Sequence, residues 1–253
     1  MTFRELYNNL NEKYPVELRC EWDNDGIMCA SDLEKEVSRV LLALDVTMDT
    51  VNYAIENKFD TIISHHPLVF NSQKSLTTDF FTQRKLIKLI QNGIRVISLH
   101  TRLDIAENGV NDTIVSLFDC EAVERDETDP LGRIITLKSK KSLKDFAVDV
   151  KNAFSSPMVL YSGKKDVYRV YIVGGDGKDY IQNAINFGAD TLLTGRASYN
   201  TMIDAEDMGI NIIEAGHFYT ENPVCKTLES VIKSLIPDAT TEIFNSNKIE
   251  ILK

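Results

Sequence analysis

The residues of this chain best suited to chemistry are its four histidines, which fall in three short segments that also carry carboxylates. His65 and His66 are adjacent, and His100 and His217 stand in the segments HTRLD and GHFYTE. Imidazole and carboxylate groups together are the ligands that proteins use for zinc, manganese, iron and nickel. The sequence therefore indicates metal chemistry before any other kind.

In two of these segments a histidine precedes a carboxylate by four residues. His100 precedes Asp104, and His217 precedes Glu221. If the segments are helical, this spacing puts both groups of a pair on one face of the helix. We expect Asp104 to bind a metal ion through a carboxylate oxygen. His100 either binds a metal ion itself or orients a carboxylate or a water molecule beside the ion, and we favour the second role. The alternative for His100 and Asp104 is an ordinary contact on a helix surface.

The adjacent histidines allow two arrangements. Neighbouring side chains on extended backbone point to opposite sides, so each histidine can bind one of two metal ions. At an irregular strand end, both histidines can instead bind a single ion. The alternative without a metal is a histidine pair that only caps a strand. The candidate ligands are then His65, His66, Asp104, His217 and Glu221. Five ligands exceed the need of one catalytic zinc with an open position. They suit two transition-metal ions that share Glu221 and water.

Two regions of the chain repeat the pattern strand, helix, strand, helix, strand. They span residues 39–101 and 168–218, and their short apolar runs are typical of buried parallel strands. Four identical residues align without a gap, at positions 54, 55, 60 and 61 of the first region and 184, 185, 190 and 191 of the second. Short α/β units also converge by chance, but we favour an internal duplication.

These repeats predict an α/β fold of duplicated strand-helix-strand lobes with a metal cleft between them. The predicted limits are 1–119 for the N-terminal lobe, 120–165 for a connecting segment and 166–253 for the C-terminal lobe, all within one family domain. Ligands gather beyond the carboxyl ends of parallel strands, and each histidine follows a predicted strand there. The last segment, TTEIFNSNKIEIL, is predicted as a hairpin.

Composition narrows the class of protein. The hydrophobic content of 43% and the charged content of 26% are those of a globular protein. A net charge of -10 argues against a nucleic-acid partner, which needs clustered Lys and Arg. The absence of a long apolar run argues against a membrane span. Four cysteines without CxxC spacing, and a beginning that lacks the apolar core of a signal peptide, favour a cytoplasmic protein with reduced thiols.

Two further segments carry weaker signals. The segment GGDGKD at 174–179 follows a predicted strand, so its amides could hold an anion. A tight turn is the simpler interpretation, because the segment matches no phosphate-loop pattern. Trp22, in EWDNDGI, is expected in the core rather than as a stacking surface for a ligand.

Seven motifs occur in order across most of the chain: WDNDGI, DVT, ISHHPLVF, HTRLD, GGDG, ADTLLTGRASYN and EAGHFYTE. Together they resemble the NIF-three-like dinuclear metal family, whose members are often labelled GTP cyclohydrolase 1 type 2 homologs. The resemblance implies a duplicated α/β structure with two metal ions between the lobes, assembled as a toroidal homohexamer. It also implies His65, His66, Asp104, His217 and Glu221 as metal ligands, with Glu221 bridging.

The chain departs from this family beside the ligand motifs. Arg102 stands where the family usually has Asn, and Arg196 stands where its TGE segment has Glu. Two guanidinium groups at these positions predict a bound anionic small molecule, because arginine holds phosphate through two parallel bonds. The alternative is that each pairs with a local carboxylate such as Glu107 or Glu206.

The resemblance implies two divalent transition-metal ions, of Zn, Mn, Fe or Ni. Its label implies a metal-dependent hydrolase that acts on a nucleotide-like or phosphorylated small molecule. The alternative is a noncatalytic metal-binding hexameric scaffold or interaction protein. Because a fold and a metal do not fix a substrate, no catalytic residue is assigned from the sequence.

Overall fold

The computed structural model describes residues 1–252, and the chain divides into two compact units. Unit 1 comprises Met1–Ala106 with Cys225–Lys248, and unit 2 comprises Glu107–Val224 with the residues from Ile249. Each unit contains one sheet and several helices. The mixed α/β class predicted from the sequence is therefore confirmed.

The strands are, in chain order, β1 (Gly26–Cys29), β2 (Arg39–Ala43), β3 (Thr61–Ser64), β4 (Arg95–Ser98), β5 (Cys120–Arg125), β6 (Arg133–Lys141), β7 (Leu160–Ser162), β8 (Val167–Asp176), β9 (Thr191–Arg196), β10 (Asn211–Glu214) and β11 (Thr240–Phe244). The helices are α1 (Phe3–Lys13), α2 (Met48–Glu56), α3 (Phe81–Gln91), α4 (Thr101–Ile105), α5 (Val110–Val115), α6 (Leu143–Ala153), α7 (Ile181–Asn186), α8 (Tyr199–Asp207), α9 (His217–Glu221) and α10 (Val224–Leu235), with a 3₁₀ turn at Val16–Leu18. Within residues 1–252, no helix has the length and apolar character that a bilayer crossing requires.

The sheet of unit 1 has the strand order β1-β4-β3-β2-β11. Strands β2, β3, β4 and β11 are parallel, and β1 is antiparallel to β4. Every residue of β3 and β4 is buried. Apolar side chains of α2 and α3, including Val51, Ala54 and Leu86, pack with those of the strands in one core. Burial of this kind explains the unbroken apolar runs in the sequence.

The sheet of unit 2 has the strand order β5-β6-β8-β9-β10-β7. Strands β8, β9 and β10 are parallel, whereas β5, β6 and β7 pair antiparallel. The core of this unit joins Tyr171 and Leu192 of the strands to Ala184 of α7 and Ala205 of α8. The three parallel strands are those that the second repeat predicts.

The parallel strands of the two units share one register. The aligned residues are Val40, Thr61 and Arg95 in unit 1 and Val170, Thr191 and Asn211 in unit 2. The aspartates that precede the middle strands, Asp60 and Asp190, each accept two backbone N–H bonds at 2.8–2.9 Å from the beginning of the first strand. This correspondence supports the internal duplication.

The C-terminal segment belongs to unit 1, because β11 pairs in parallel with β2 from Thr240 to Phe244. The hairpin predicted there is wrong, since each residue of β11 pairs with a residue of β2 that stands 201 positions earlier in the chain. Residues 120–165 supply β5, β6 and β7 to the sheet of unit 2. The limits predicted at 119 and 166 therefore differ from the limits of the two units.

Candidate metal centre

The three histidines of unit 1 lie where two neighbouring parallel strands end. His65 and His66 follow β3, and His100 follows β4 and caps the beginning of α4. Because β3 and β4 are adjacent, the three ring centroids are only 5.0–5.8 Å apart. One ring nitrogen from each lies within 4.8 Å of the other two. This histidine cluster can hold a metal ion, and it includes His100.

His65 is oriented by a hydrogen bond to the backbone. Its Nδ1 lies 2.9 Å from the carbonyl oxygen of Leu99, so Nδ1 donates and Nε2 of the neutral ring carries the lone pair. That Nε2 lies 3.5 Å from Oδ1 of Asp104. Two acceptor atoms at this distance repel unless a cation lies between them or the ring takes a second proton. The arrangement fits a metal ion shared by both side chains.

Carboxylates orient the other two rings of the histidine cluster. Nδ1 of His66 donates to Oδ1 of Asp45 at 2.7 Å, and Nδ1 of His100 donates to Oδ1 of Asp23 at 2.8 Å. In metal sites a ligating histidine usually makes such a bond through its other nitrogen, which fixes the tautomer and directs the lone pair at the metal. Neither aspartate was predicted from the sequence, although Asp45 stands in the motif DVT and Asp23 in the motif WDNDGI.

Asp23 is a buried carboxylate with several donors around it. Its Oδ2 accepts bonds from the backbone N–H of Thr101 at 3.0 Å and from the Thr101 hydroxyl at 2.6 Å. Burial by itself raises the pKa of Asp23, but the bonds from His100 and Thr101 outweigh it and lower that pKa to about 2. The carboxylate is therefore charged at neutral pH and holds the His100 ring in place.

Arg102 does not occupy the position that the sequence analysis gave it. Its side chain is fully buried, and Nε donates to Oδ2 of Asp25 at 2.8 Å. Nη1 donates to Oδ1 of Asn11 and to the carbonyl oxygen of Tyr14. The predicted anion contact of Arg102 is therefore corrected to a structural role, because a buried and paired guanidinium does not meet a dissolved anion. Its carboxylate partner is Asp25 and not Glu107.

Arg196 ends β9 in unit 2, and its side chain is exposed. The carboxylate suggested as its local partner, Glu206, pairs with Lys164 instead. Arg196 therefore keeps the exposure that contact with an anion requires.

His217 and Glu221 lie on α9 of unit 2, with Nε2 2.9 Å from Oε2. The prediction from their spacing, that both face the same side of a helix, is confirmed. Helix α9 follows Gly216, whose φ of +91° is a conformation that other residues rarely adopt. Glu221 is buried, whereas His217 is partly exposed. The pair offers one imidazole and one carboxylate as ligands.

The GGDG segment of unit 2 lies against Glu221. The backbone N–H of Gly174 donates to Asn111 at 2.8 Å and that of Gly175 donates to Thr220 at 3.2 Å, so neither amide points at an anion site. Gly175 has a φ of +65°, and a Cβ at this position would lie 2.1 Å from Oε1 of Glu221. Gly174 and Gly175 belong to the end of β8, the turn follows at residues 177–180, and Gly175 gives the Glu221 carboxylate its space.

A duplicated α/β chain with a histidine cluster beyond its parallel strands defines a candidate metal protein. The family model described as Duf34/NIF3 (NGG1p interacting factor 3) matches residues 1–250. This chain belongs to the DUF34/NIF3 family, as its motifs predicted.

Individual relatives agree with this assignment over nearly their whole length. A GTP cyclohydrolase 1 type 2 homolog of Clostridium acetobutylicum is 33% identical over 92% of this chain and 91% of its own. One of Clostridium perfringens is 31% identical over 98% and 97%. Among solved structures, a hypothetical protein of Staphylococcus aureus has a TM-score of 0.90 at 27% identity, covering 100% of this chain and 99% of its own. Reduced HcgD from Methanocaldococcus jannaschii has a TM-score of 0.85 at 26% identity, covering 96% and 97%.

Proposed function

We propose that this chain is a metal-dependent hydrolase that acts on a nucleotide-like or phosphorylated small molecule. One observation carries the proposal. The three rings of the histidine cluster converge, and Nδ1 of each is fixed by an oxygen acceptor, so that each Nε2 keeps the lone pair that a metal ion would take. Rings held in this way are preorganised for a metal and are an unusual arrangement for a structural core.

The proposed cofactor is a pair of divalent transition-metal ions, Zn, Mn, Fe or Ni. Mixed nitrogen and oxygen donors favour these metals over calcium and magnesium, which prefer oxygen alone. The proposed ligands are His65, His66, Asp104, His217 and Glu221, with Glu221 bridging, and the geometry of unit 1 adds His100 as a sixth candidate. Bound ions of this kind supply Lewis acidity and an activated water.

The residues of the chain supply orientation and charge. Asp45 and Asp23 fix two of the rings, and the carbonyl of Leu99 fixes the third. Arg196 is the exposed cation proposed to meet the anionic part of the substrate. The substrate class is supported by the name of the relatives, which are called GTP cyclohydrolase 1 type 2 homologs.

Metal content tests the cofactor. Protein purified without a chelator should contain close to two equivalents of transition metal per chain by elemental analysis. Glu221→Gln should lower both equivalents, because a bridging carboxylate serves both ions. A content near zero after incubation with zinc, manganese or iron would contradict the proposal, and loss of a single ion in the variant would contradict the bridging role.

A noncatalytic scaffold or interaction protein is the second candidate, and the family description as an interacting factor favours it. Metal-loaded protein should be screened against nucleotides and phosphoesters beside the same protein stripped of metal. Turnover that depends on the metal supports the hydrolase. If neither the metal-loaded nor the metal-free protein turns over any of these compounds, the result supports the scaffold.

We also propose that the chain assembles as a homohexamer and works in the cytoplasm. All four cysteines are thiols rather than disulfides, which fits a reducing compartment.

A further inference from the structure

Two exposed aromatic rings stand side by side in unit 1. Trp22, which the sequence analysis expected in the core, is 63% exposed, and Phe70 is 47% exposed. Their ring centroids are 6.2 Å apart and their planes are inclined by 48°. Tryptophan in water leaves a large apolar surface uncovered, and such residues are enriched where proteins bind ligands. The pair is therefore a candidate contact surface.

The loop that carries Trp22 is anchored rather than loose. The next acidic residues, Asp23 and Asp25, are buried and hydrogen-bonded to residues of α4. Between them, Nδ2 of Asn24 donates to the carbonyl oxygen of Val69 at 2.5 Å, which ties the loop to the segment of the second aromatic ring. The indole is thus held outward on a backbone that the buried side chains of Asp23 and Asp25 anchor.

The exposed indole lies directly beside the histidine cluster. The ring centroids of Trp22 and His100 are 6.1 Å apart, with an edge-to-face angle of 79°. Stacked aromatic groups have centroids roughly 4.5–7 Å apart. A planar group stacked on Trp22 would therefore lie next to the rings proposed to hold the metal.

We propose that Trp22 and Phe70 form a stacking platform for the planar heteroaromatic ring of the substrate, a group of the nucleobase class. The inference rests on the proposed function and names the part of the substrate that unit 1 holds. Aromatic side chains bind the face of any such ring with little dependence on its edge groups. Loss of one stacking side chain is expected to weaken binding by roughly 5- to 150-fold.

The chain offers its own reporter, because Trp22 is its only tryptophan. Titration of zinc-loaded protein with guanosine 5′-monophosphate should quench the tryptophan fluorescence along a saturable curve. Ribose 5-phosphate, which has the phosphate but not the ring, should leave the fluorescence unchanged. A linear quenching curve with the slope of free N-acetyltryptophanamide would show collisions only and would overturn the proposal.

The nucleotide affinity of single variants tests whether these two rings, and not another exposed ring, bind the nucleotide. Phe70→Ala should weaken the binding of guanosine 5′-monophosphate by the stated factor in the fluorescence titration. In calorimetry Trp22→Ala should show the same loss and Trp22→Phe should keep most of the affinity. Tyr199→Ala removes a ring in unit 2 that is 79% exposed, and it should change nothing. Zinc content should be equal in all four variants.

The remaining outcomes distinguish this inference from the proposed function. Saturable binding of the nucleotide without any turnover would refute the hydrolase and leave the platform standing. Metal-dependent turnover of phosphoesters without saturable quenching would refute the platform alone. If the emission of Trp22 shifts to the blue as protein concentration rises, and Trp22→Ala lowers the mass in light scattering, the surface is an interface between copies and the inference fails.

Discussion

Asp45 is the residue through which the metal affinity of His66 is best tested, because it touches the ring without being a proposed ligand. Asp45→Ala removes the acceptor that holds Nδ1 of His66 and should lower metal affinity by roughly 10- to 100-fold. Competition with a chelator measures this change. Asp49→Ala, which removes the partner of exposed Lys248, is the matched control and should keep the affinity. Equal losses in both variants would contradict an orienting role.

Arg102 and Arg196 should respond in opposite ways to the same substitution. Arg102→Ala leaves the buried carboxylate of Asp25 with only the longer ion pair to Arg19 at 3.6 Å, so we expect the free energy of unfolding to fall by about 3 kcal/mol. Arg196→Ala removes an exposed side chain and should change it by less than about 0.5 kcal/mol. Urea denaturation of both variants gives the comparison. A small effect at Arg102 would mean that its ion pair is not needed for folding.

Residue spacing predicted the contacts that form within one element and missed those that cross the fold. His217 and Glu221 meet on one helical turn, as a separation of four requires. His100 and Asp23 are separated by 77 positions, and His66 and Asp45 by 21. Sequence spacing carries no information on such pairs, because the strand order of the sheet brings them together. Trp22 was misplaced for a related reason, since the type of a residue does not show which side chains the fold packs against it, and the ring is exposed.

At the scale of elements, the C-terminal end of β8 controls the space around Glu221. Gly175→Ala should displace the Glu221 carboxylate, because the added Cβ would lie 2.1 Å from its oxygen. Gly188→Ala is the matched control, since Gly188 has a similar φ of +70° and nothing within 4 Å of an added Cβ. Both variants carry the same backbone strain. Only Gly175→Ala should lose metal in elemental analysis, and equal metal contents would contradict the crowding.

The strands that could be predicted from apolar runs in the sequence are those that are buried on both faces of the sheet. Strands β3 and β4 are buried at every residue, and each has a short apolar pair at its centre, Ile62 with Ile63 and Val96 with Ile97. Strand β11 is a polar edge strand with exposed positions at Thr240 and Glu242, so its sequence, TTEIF, carries no apolar run. Its place beside β2 depends on pairing across the fold, which no local pattern records.

For the whole molecule, the resemblance to the family implies a closed ring of six chains. Closed symmetric assemblies are a common outcome for soluble chains. Light scattering should therefore give a mass close to six times that of one chain. A monomer at micromolar concentration would contradict the homohexamer and leave the metal proposal unaffected.

The internal duplication could be predicted, whereas the division of the chain could not. Asp60 with Thr61 and Asp190 with Thr191 occupy equal positions in both sheets, and the sequence shows that identity directly. The division depends on α10 and β11 returning to unit 1 after unit 2 is complete. No change of composition marks that return.

The return of β11 has a consequence for synthesis on the ribosome. All strands of unit 2 lie between residues 120 and 214, so its sheet can form while the chain is still being synthesised. Strand β2 is translated much earlier, yet one of its edges has no partner until residues 240–244 emerge. An unpaired edge is a template for pairing with foreign chains, and residues are added at about 5–20 per second. The nascent chain therefore carries an open edge for roughly ten seconds or more before its own last strand covers it.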